Sequence, residues 1–568
     1  MCALDRKAIA IGMEDFKTII DKKGYLIDKT LMIQELLDSN TMVSLFTRPR
    51  RFGKTLNMSM LRRFFEDERK ADGTSADNRY LFEGLAISQC GKEYLAHQQQ
   101  YPVINLSLKS AKQPDFEMAY KSLIDEIAGE FRRHKYALEG NVLESEMKKR
   151  YTEIQTMTAD AVSYAKSIGF LSNCLAKYHG KKCIILIDEY DVPLENAWFC
   201  GFYDEMIGFI RSLFESALKT NDSLEFGVIT GCLRISRESI FTGLNNLKIN
   251  SVTNSSFGNA FGFTEPEVKE LLAYYGLESR FEEVKSWYDG YAFGNHEVYN
   301  PWSILNYADE IRKEDTLFPK PYWSNTSSNN IIRELVENAD QEARDEIERL
   351  IAGEALEKPI HEEITYEDIH ESSDNLWNFL YFTGYLTSRG FEFRDKMTYV
   401  KMMIPNQEVS TVYESTVLRW FDKKLEQKDL RPLMKAIEAG DCATMGDIIS
   451  CELMDTISFF DYGESYYHGF LAGLLKAAGG YEVLSNRESG EGRTDLILKE
   501  RKFRGRSAIL ELKVAGTFDE MESLCQKALK QIEEKKYEER LKNEGYSAVL
   551  KYGVCFFRKG CLVMRDKQ

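Results

Sequence analysis

Three groups of residues in this 568-residue chain have the types and spacing that phosphate chemistry needs. The first is Arg48-Pro49-Arg50-Arg51-Phe52-Gly53-Lys54-Thr55. It carries the ending and spacing of a phosphate-binding loop, G-x-x-x-x-G-K-[ST], with Arg48 in place of the first glycine. In such a loop Lys54 reaches the β- and γ-phosphates of ATP and the Thr55 hydroxyl holds Mg²⁺. Arg50, Arg51, Phe52 and Gly53 complete the nucleotide-binding set, with Pro49 stiffening the turn and the two arginines adding charge. The second group is Asp188-Glu189. Asp188 is the carboxylate on the metal side, and Glu189 is the general base that polarises a water for attack on the γ-phosphate. Thr230, at the end of a later apolar run, is placed to sense the γ-phosphate. Arg234 just beyond it either stabilises charge developing in the transition state or pairs with a local acid. The third group is Asp495 with Glu511-Leu512-Lys513. Two carboxylates can hold Mg²⁺ or Mn²⁺, and a lysine beside them can orient or deprotonate an attacking water. Glu464 is a candidate additional acid.

These side chains need a frame. Met42 to Thr47 reads as a short buried strand, and Leu56, Met60, Leu61 and Phe64 recur at helical spacing after the loop. Strand, tight loop and helix together point N–H groups at a phosphate. Further strands are expected at Val103–Leu108, Cys183–Ile187 and Phe226–Thr230, with helices between them at Phe116–Arg132 and Ala161–Tyr178. That alternation predicts an open α/β sheet with ligands at the C-terminal strand ends. In the middle, Thr264 and Glu267 make a capping box. Asn300-Pro301-Trp302-Ser303 reads as a turn and helix start. The cluster of Trp287, Tyr288, Tyr291, Phe293, Tyr299, Trp302, Tyr322 and Trp323 reads as packed core rather than a base-stacking surface. Residues 364–380 read as mostly helix, and 381–387 and 391–403 as strand-like. A polar link near Asn406–Ser410 marks a boundary. The C-terminal order is a helix carrying Phe470, Leu471, Leu474 and Leu475, strands at 481–485, 494–498 and 507–514, a helix through Met521–Ile532, and a strand at 552–557. Glu511 and Lys513, two apart on a strand, share a face.

Bulk properties limit the function classes. A net charge of −16 argues against a protein that coats nucleic acid non-specifically, although residues 491–568 carry 18 Lys and Arg against 13 Asp and Glu. Eleven cysteines without C-x-x-C pairs suggest reduced core thiols. No apolar run is long enough to span a bilayer, and the N-terminus is not a signal peptide, so a cytoplasmic protein is expected.

As a set, T-R-P-R-R-F-G-K-T, I-D-E-Y-D-V-P, I-T-G-C-L-R-I-S, F-G-F-T-E-P-E-V, W-Y-D-G-Y-x-F-G and V-Y-N-P-W-S resemble the bacterial AAA-ATPase-like family over nearly the whole chain. The resemblance implies a P-loop domain followed by a PD-(D/E)XK nuclease-like domain. It implies ATP binding through Lys54, Thr55, Asp188 and Glu189. The R-P-R-R-F form is usual among these relatives. Asp495 and Glu511-Leu512-Lys513 resemble the nuclease motif without its proline, and Gln531 falls where the family often keeps a polar residue. Asp28, in another family motif, is expected to make a structural contact.

The expected fold is α/β: a P-loop NTPase parallel sheet with helices on both faces, a mostly helical middle and a C-terminal nuclease-like α/β domain. The divisions are 1–260, 261–408 (a lid in which a winged-helix-like arrangement is an option) and 409–568. The expected function is an ATP-binding, ATP-hydrolysing protein coupled to a metal-dependent nuclease-like domain acting on DNA or RNA, with oligomerisation open. The alternative is a nucleotide-controlled switch with a catalytically silent nuclease-like domain.

Overall fold

The computed structural model describes residues 6–566 apart from 71–72, 140, 234–239, 242–245, 315, 324–331, 333–340, 363–371, 427–428, 455–463, 490–491, 501, 503–504, 536 and 547. Within helices and strands it leaves out the side chains of 341, 344, 348, 373, 417–426, 464–466, 485–489, 492–494 and 540. The chain divides into two compact units, residues 1–327 with 357–409, and residues 328–356 with 410–568.

The first unit is built on five parallel strands: β1 Val43–Thr47, β2 Val103–Ser107, β3 Cys183–Asp188, β4 Leu224–Gly231 and β5 Leu247–Asn250. Their order is β2-β3-β4-β1-β5. Every residue of β1 and β3 is buried, as continuous apolar runs require when helices cover a parallel sheet. Strand β5 was not anticipated, because Leu247-Lys248-Ile249-Asn250 is short and half polar. The expected helix 161–178 is two, Ala161–Ala165 and Ser167–His179, separated at Lys166.

Strand β2 lies at the sheet edge, and side chains meet its outward backbone groups. Glu130 accepts from Asn105 N–H at 2.7 Å, while Arg133 donates to the Val103 carbonyl at 2.6 Å and His134 contacts the same oxygen at 3.1 Å. Arg133 also pairs with Glu66 and Glu130. Asp28 is structural, as expected. It accepts from Thr30 N–H (2.8 Å), Thr30 Oγ1 (2.7 Å) and Ala86 N–H (2.7 Å), which ties residues 28–30 to the short helix Ala86–Gln89.

Helix Glu265–Tyr275 starts at the capping box of Thr264 and Glu267, and helix Pro301–Ile311 starts at Asn300, whose side chain accepts from Trp302 and Ser303 N–H. Tyr288 and Tyr299 are core, with Trp287 and Tyr322 packed against it. The hairpin β6 Tyr291–Phe293 and β7 His296–Val298 follows. A three-stranded sheet, order β8-β10-β9, comprises β8 Leu356–Pro359, β9 Thr387–Arg394 and β10 Met397–Met403. Tyr381–Thr383, expected as strand, closes the helix Ser373–Thr383 instead. Gly384, at φ 90°, ends that helix, and β9 begins only at Thr387. Residues 364–371 of the expected helix lie outside the described residues. The polar stretch 406–410 holds a helix start, and the division between the two units falls within it, after Val409. Asn406 Oδ1 accepts from Val409 N–H at 3.1 Å, and helix Gln407–Glu426 begins there.

The second unit holds five strands in sequence order: β11 Tyr481–Ser489, β12 Gly492–Glu500, β13 Arg506–Val514, β14 Ala548–Phe557 and β15 Gly560–Arg565. All neighbours are antiparallel except β13 and β14, which are parallel and joined through helices Met521–Glu534 and Tyr537–Asn543. Strand β15 and the second helix were not anticipated. Gly553 is required on β14, since a Cβ there would lie 2.3 Å from the Cys525 carbonyl of the packed helix.

Candidate active sites

In the first unit β1 ends at the loop 48–53, and helix Lys54–Phe65 begins immediately after it. Gly53 takes φ 85°, the left-handed region that suits glycine. Lys54 is buried, and its ammonium donates to the carbonyls of Arg48 (2.8 Å) and Pro49 (2.9 Å) and contacts Cys232 Sγ at 3.5 Å. Asp188 closes β3, and the Thr230 hydroxyl at the end of β4 donates to it. Glu189 is half-buried at φ 54°. Burial, with the Asp188 charge next to it, raises its carboxyl above the ordinary value. Thr55, at helix position two, is half-buried.

Asp191, which no sequence motif singles out, is buried among these groups and accepts from Cys232 N–H at 2.7 Å and Leu233 N–H at 3.0 Å. Gly231 is needed for it: a Cβ there would fall 2.5 Å from the Tyr190 ring and 2.7 Å from Asp191 Oδ1. Of the loop's other expected ligands, Arg50 pairs with Glu195, Arg51 lies over the Trp302 ring at 4.3 Å, and the Phe52 side chain is buried against Tyr291 and Phe293. Phe52 therefore has only its backbone to offer a phosphate. Arg48 is fully buried. It donates to the carbonyls of Thr47 (2.9 Å), Asn250 (2.7 Å) and Ser256 (3.5 Å) and sits over Phe261 and Phe293. Burial pushes its guanidinium down to about 9. Arg234 lies outside the described residues.

A helix N-terminus with a lysine at its first position, on a sheet whose neighbouring strands β3 and β4 end in a carboxylate and a hydroxyl, fits a nucleoside triphosphate with its Mg²⁺.

In the second unit Leu496 pairs with Leu510, a register that sets Asp495 beside Glu511. Asp495 Oδ2 accepts from Leu512 N–H at 2.8 Å, which fixes the carboxylate against β13. Glu511 is 1% exposed. Its Oε1 accepts from Gln531 and lies 3.4 Å from Lys513 Nζ, while its Oε2 is buried without a partner. Burial, and then the Asp495 charge, push the Glu511 carboxyl up to about 7, against the pull of Lys513. Glu464 is the first residue of helix Glu464–Ala478, and its side chain lies outside the described ones. Among the described residues no group of three or more His, Cys, Asp and Glu forms a metal cluster. A buried carboxylate oxygen without a donor, next to a second carboxylate, still fits a hard divalent cation.

This arrangement defines the class: an α/β P-loop-type sheet domain on the same chain as a mixed-sheet domain that pairs two carboxylates with a lysine. Residues 10–241 match the family described as predicted AAA-ATPase, AAA-ATPase-like, and residues 462–566 match the PD-(D/E)XK nuclease superfamily. The N-terminal part of the chain is thus similar to the AAA-ATPase-like family and its C-terminal part to the PD-(D/E)XK nuclease superfamily. A protein of Azotobacter chroococcum mcd 1, described as an uncharacterized protein in vnfD 5'region, is 25% identical over 563 residues, 95% of each chain. No helix among the described residues is long and apolar enough to cross a membrane.

Proposed function

We propose that this protein binds and hydrolyses ATP at the Lys54 loop and cleaves phosphodiester bonds of DNA or RNA at the Asp495–Glu511–Lys513 site. The observation that carries the nuclease reading is the buried Oε2 of Glu511, without a donor beside Asp495 and Lys513. Asp495 and Glu511 are the residues to hold Mg²⁺ or Mn²⁺, and Gln531 orients Glu511 by donating to Oε1. A divalent metal held by these two carboxylates would lower the pKa of a bound water toward neutrality. Lys513 places a positive charge beside that water and the phosphate, and Asp495 is held by Leu512 N–H so that it faces the same point. In the ATPase domain Lys54 neutralises the β/γ-phosphates, while Asp188 and Thr55 are the metal-side ligands. Glu189, raised by burial beside Asp188, takes the proton of the attacking water, and Thr230 holds Asp188 in place. Soluble cytoplasmic action fits these substrates.

The test is metal-dependent cleavage of nucleic acid by wild type against Lys513→Ala and Asp495→Ala; equal activity in all three removes the nuclease reading. A second reading is a nucleotide-controlled switch with little turnover. It is favoured by the Lys54 ammonium being already held by the Arg48 and Pro49 carbonyls. ATP binding without phosphate release, in wild type as in Glu189→Gln, selects it.

A further inference from the structure

Each residue from Arg48 to Phe52 makes a contact with a part of the chain beyond Thr230 or with Glu195. Arg48 sits over Phe261 and Phe293, and Phe52 packs on Tyr291 and Phe293. Pro49 lies so near Gly384 that a Cβ there would be 2.7 Å from the proline ring. Arg50 pairs with Glu195 through its side chain, and its backbone carbonyl accepts from the Trp323 indole N–H at 3.3 Å. Arg51 lies over Trp302.

The two arginines are joined a second time, away from the loop. Trp323 is 1% exposed and its ring meets Tyr385 edge-on at 4.8 Å. Its backbone N–H donates to Glu408 Oε1 at 2.7 Å. Glu408 is fully buried, and its Oε2 accepts from the Ser303 hydroxyl at 2.7 Å. Ser303 follows Trp302 in the helix Pro301–Ile311, so the path returns to Arg51. A closed ring thus runs from the Arg50 carbonyl through Trp323, Glu408, Ser303 and Trp302 to the Arg51 side chain. The Arg50–Arg51 peptide belongs to both the ring and the phosphate loop. Its plane cannot rotate without stretching a hydrogen bond to a buried indole.

We infer that Trp323, Glu408 and Ser303 are positioning residues of the nucleotide loop, holding the Arg50–Arg51 peptide in the orientation a bound phosphate requires. By reciprocity a bound phosphate stiffens the ring in turn. Glu408 stands in the first turn of helix Gln407–Glu426, the element by which the chain leaves the first unit at Val409. The inference rests on the nucleotide reading above.

The experiment titrates the full-length protein with ATP and Mg²⁺, followed by calorimetry and by tryptophan emission. Wild type binds with a change in emission. Trp323→Phe keeps an aromatic ring but loses the N–H donor. It is expected to bind about tenfold more weakly and to lose most of the emission change. Glu408→Ala weakens binding to a similar degree, and Glu408→Gln, which keeps an acceptor oxygen, binds within about twofold of wild type. Should Trp323→Phe fail to fold, Trp302→Leu decides the same question, with an expected loss of about threefold. Affinities of Trp323→Phe and Glu408→Ala equal to wild type overturn the inference while leaving the nucleotide reading intact. Absence of any ATP heat with wild type overturns the nucleotide reading, and the inference falls with it.

Discussion

Replacing Glu511 by Gln is expected to stabilise the metal-free protein at alkaline pH while abolishing the proposed nuclease activity. The Glu511 carboxyl is pushed from an ordinary 4.5 up to about 7 by burial and by Asp495. A carboxyl raised in the folded state favours its neutral form. Its stabilising share is therefore fully present below pH 4.5 and is lost as pH rises through 7. Each pH unit between the two values is worth about 1.4 kcal/mol, so ionised Glu511 costs the fold about 3 kcal/mol at pH 8. Gln keeps an acceptor for the Gln531 amide and turns an uncharged N–H₂ toward Asp495. In scanning calorimetry with EDTA at pH 8, the variant's C-terminal transition should rise on the order of 10 °C. At pH 5 most of the gap closes. Millimolar Mn²⁺ at pH 8 raises the wild-type transition, since a ligand that binds only the folded state adds stability, and leaves Glu511→Gln unmoved. A variant that melts at or below wild type at pH 8 in EDTA refutes the reasoning, because the carboxylate would then not be the destabilised group its surroundings imply.

Arg48→Gly restores the general phosphate-loop glycine, yet it is expected to destabilise the first unit by about 3 kcal/mol or more, through loss of three carbonyl partners and two aromatic faces. Chemical denaturation reads this directly. Asp28→Ala should cost about 3 kcal/mol by the same measurement, since three donors lose a charged acceptor. Lys54→Ala should abolish ATP binding in calorimetry and lower the melting temperature by a few degrees, because it leaves the buried Arg48 and Pro49 carbonyls without their donor.

The parts of this molecule legible in the sequence were those set by local pattern. Cys183–Ile187 reads as a doubly covered strand because it is apolar throughout, and the Thr264–Glu267 box is a four-residue code. Glu511 and Lys513 share a face because strand periodicity is two. Contacts between distant residues were not legible. Nothing near Arg48 in sequence says that its partners are Asn250, Ser256 and Phe293. Nothing local marks Asp191, whose place depends on the Cys232 and Leu233 N–H groups that follow β4. Glu408 lay in what read as a polar link, and its burial depends on Trp323 and Ser303. Tyr381–Thr383 has β-forming residues, but the helix that precedes Gly384 claims them. Strand β5, half polar, is held by pairing with β1 and not by its own composition.

The fence of side chains along β2 has a consequence for assembly. An uncovered edge strand is a template on which a second chain can add a strand. Here Glu130, Arg133 and His134 occupy Asn105 N–H and the Val103 carbonyl, which blocks growth of the sheet on that side. Burial alone would raise the carboxyls of Glu130 and Glu66, but the Arg133 guanidinium overrides it and holds both below the ordinary range. Their contribution is present at neutral pH and lost as acid titrates them. Acidification would then unlatch Arg133 and bare the strand, so sheet-to-sheet fibre growth is the failure this protein should show at low pH, and light scattering with a thioflavin signal would report it.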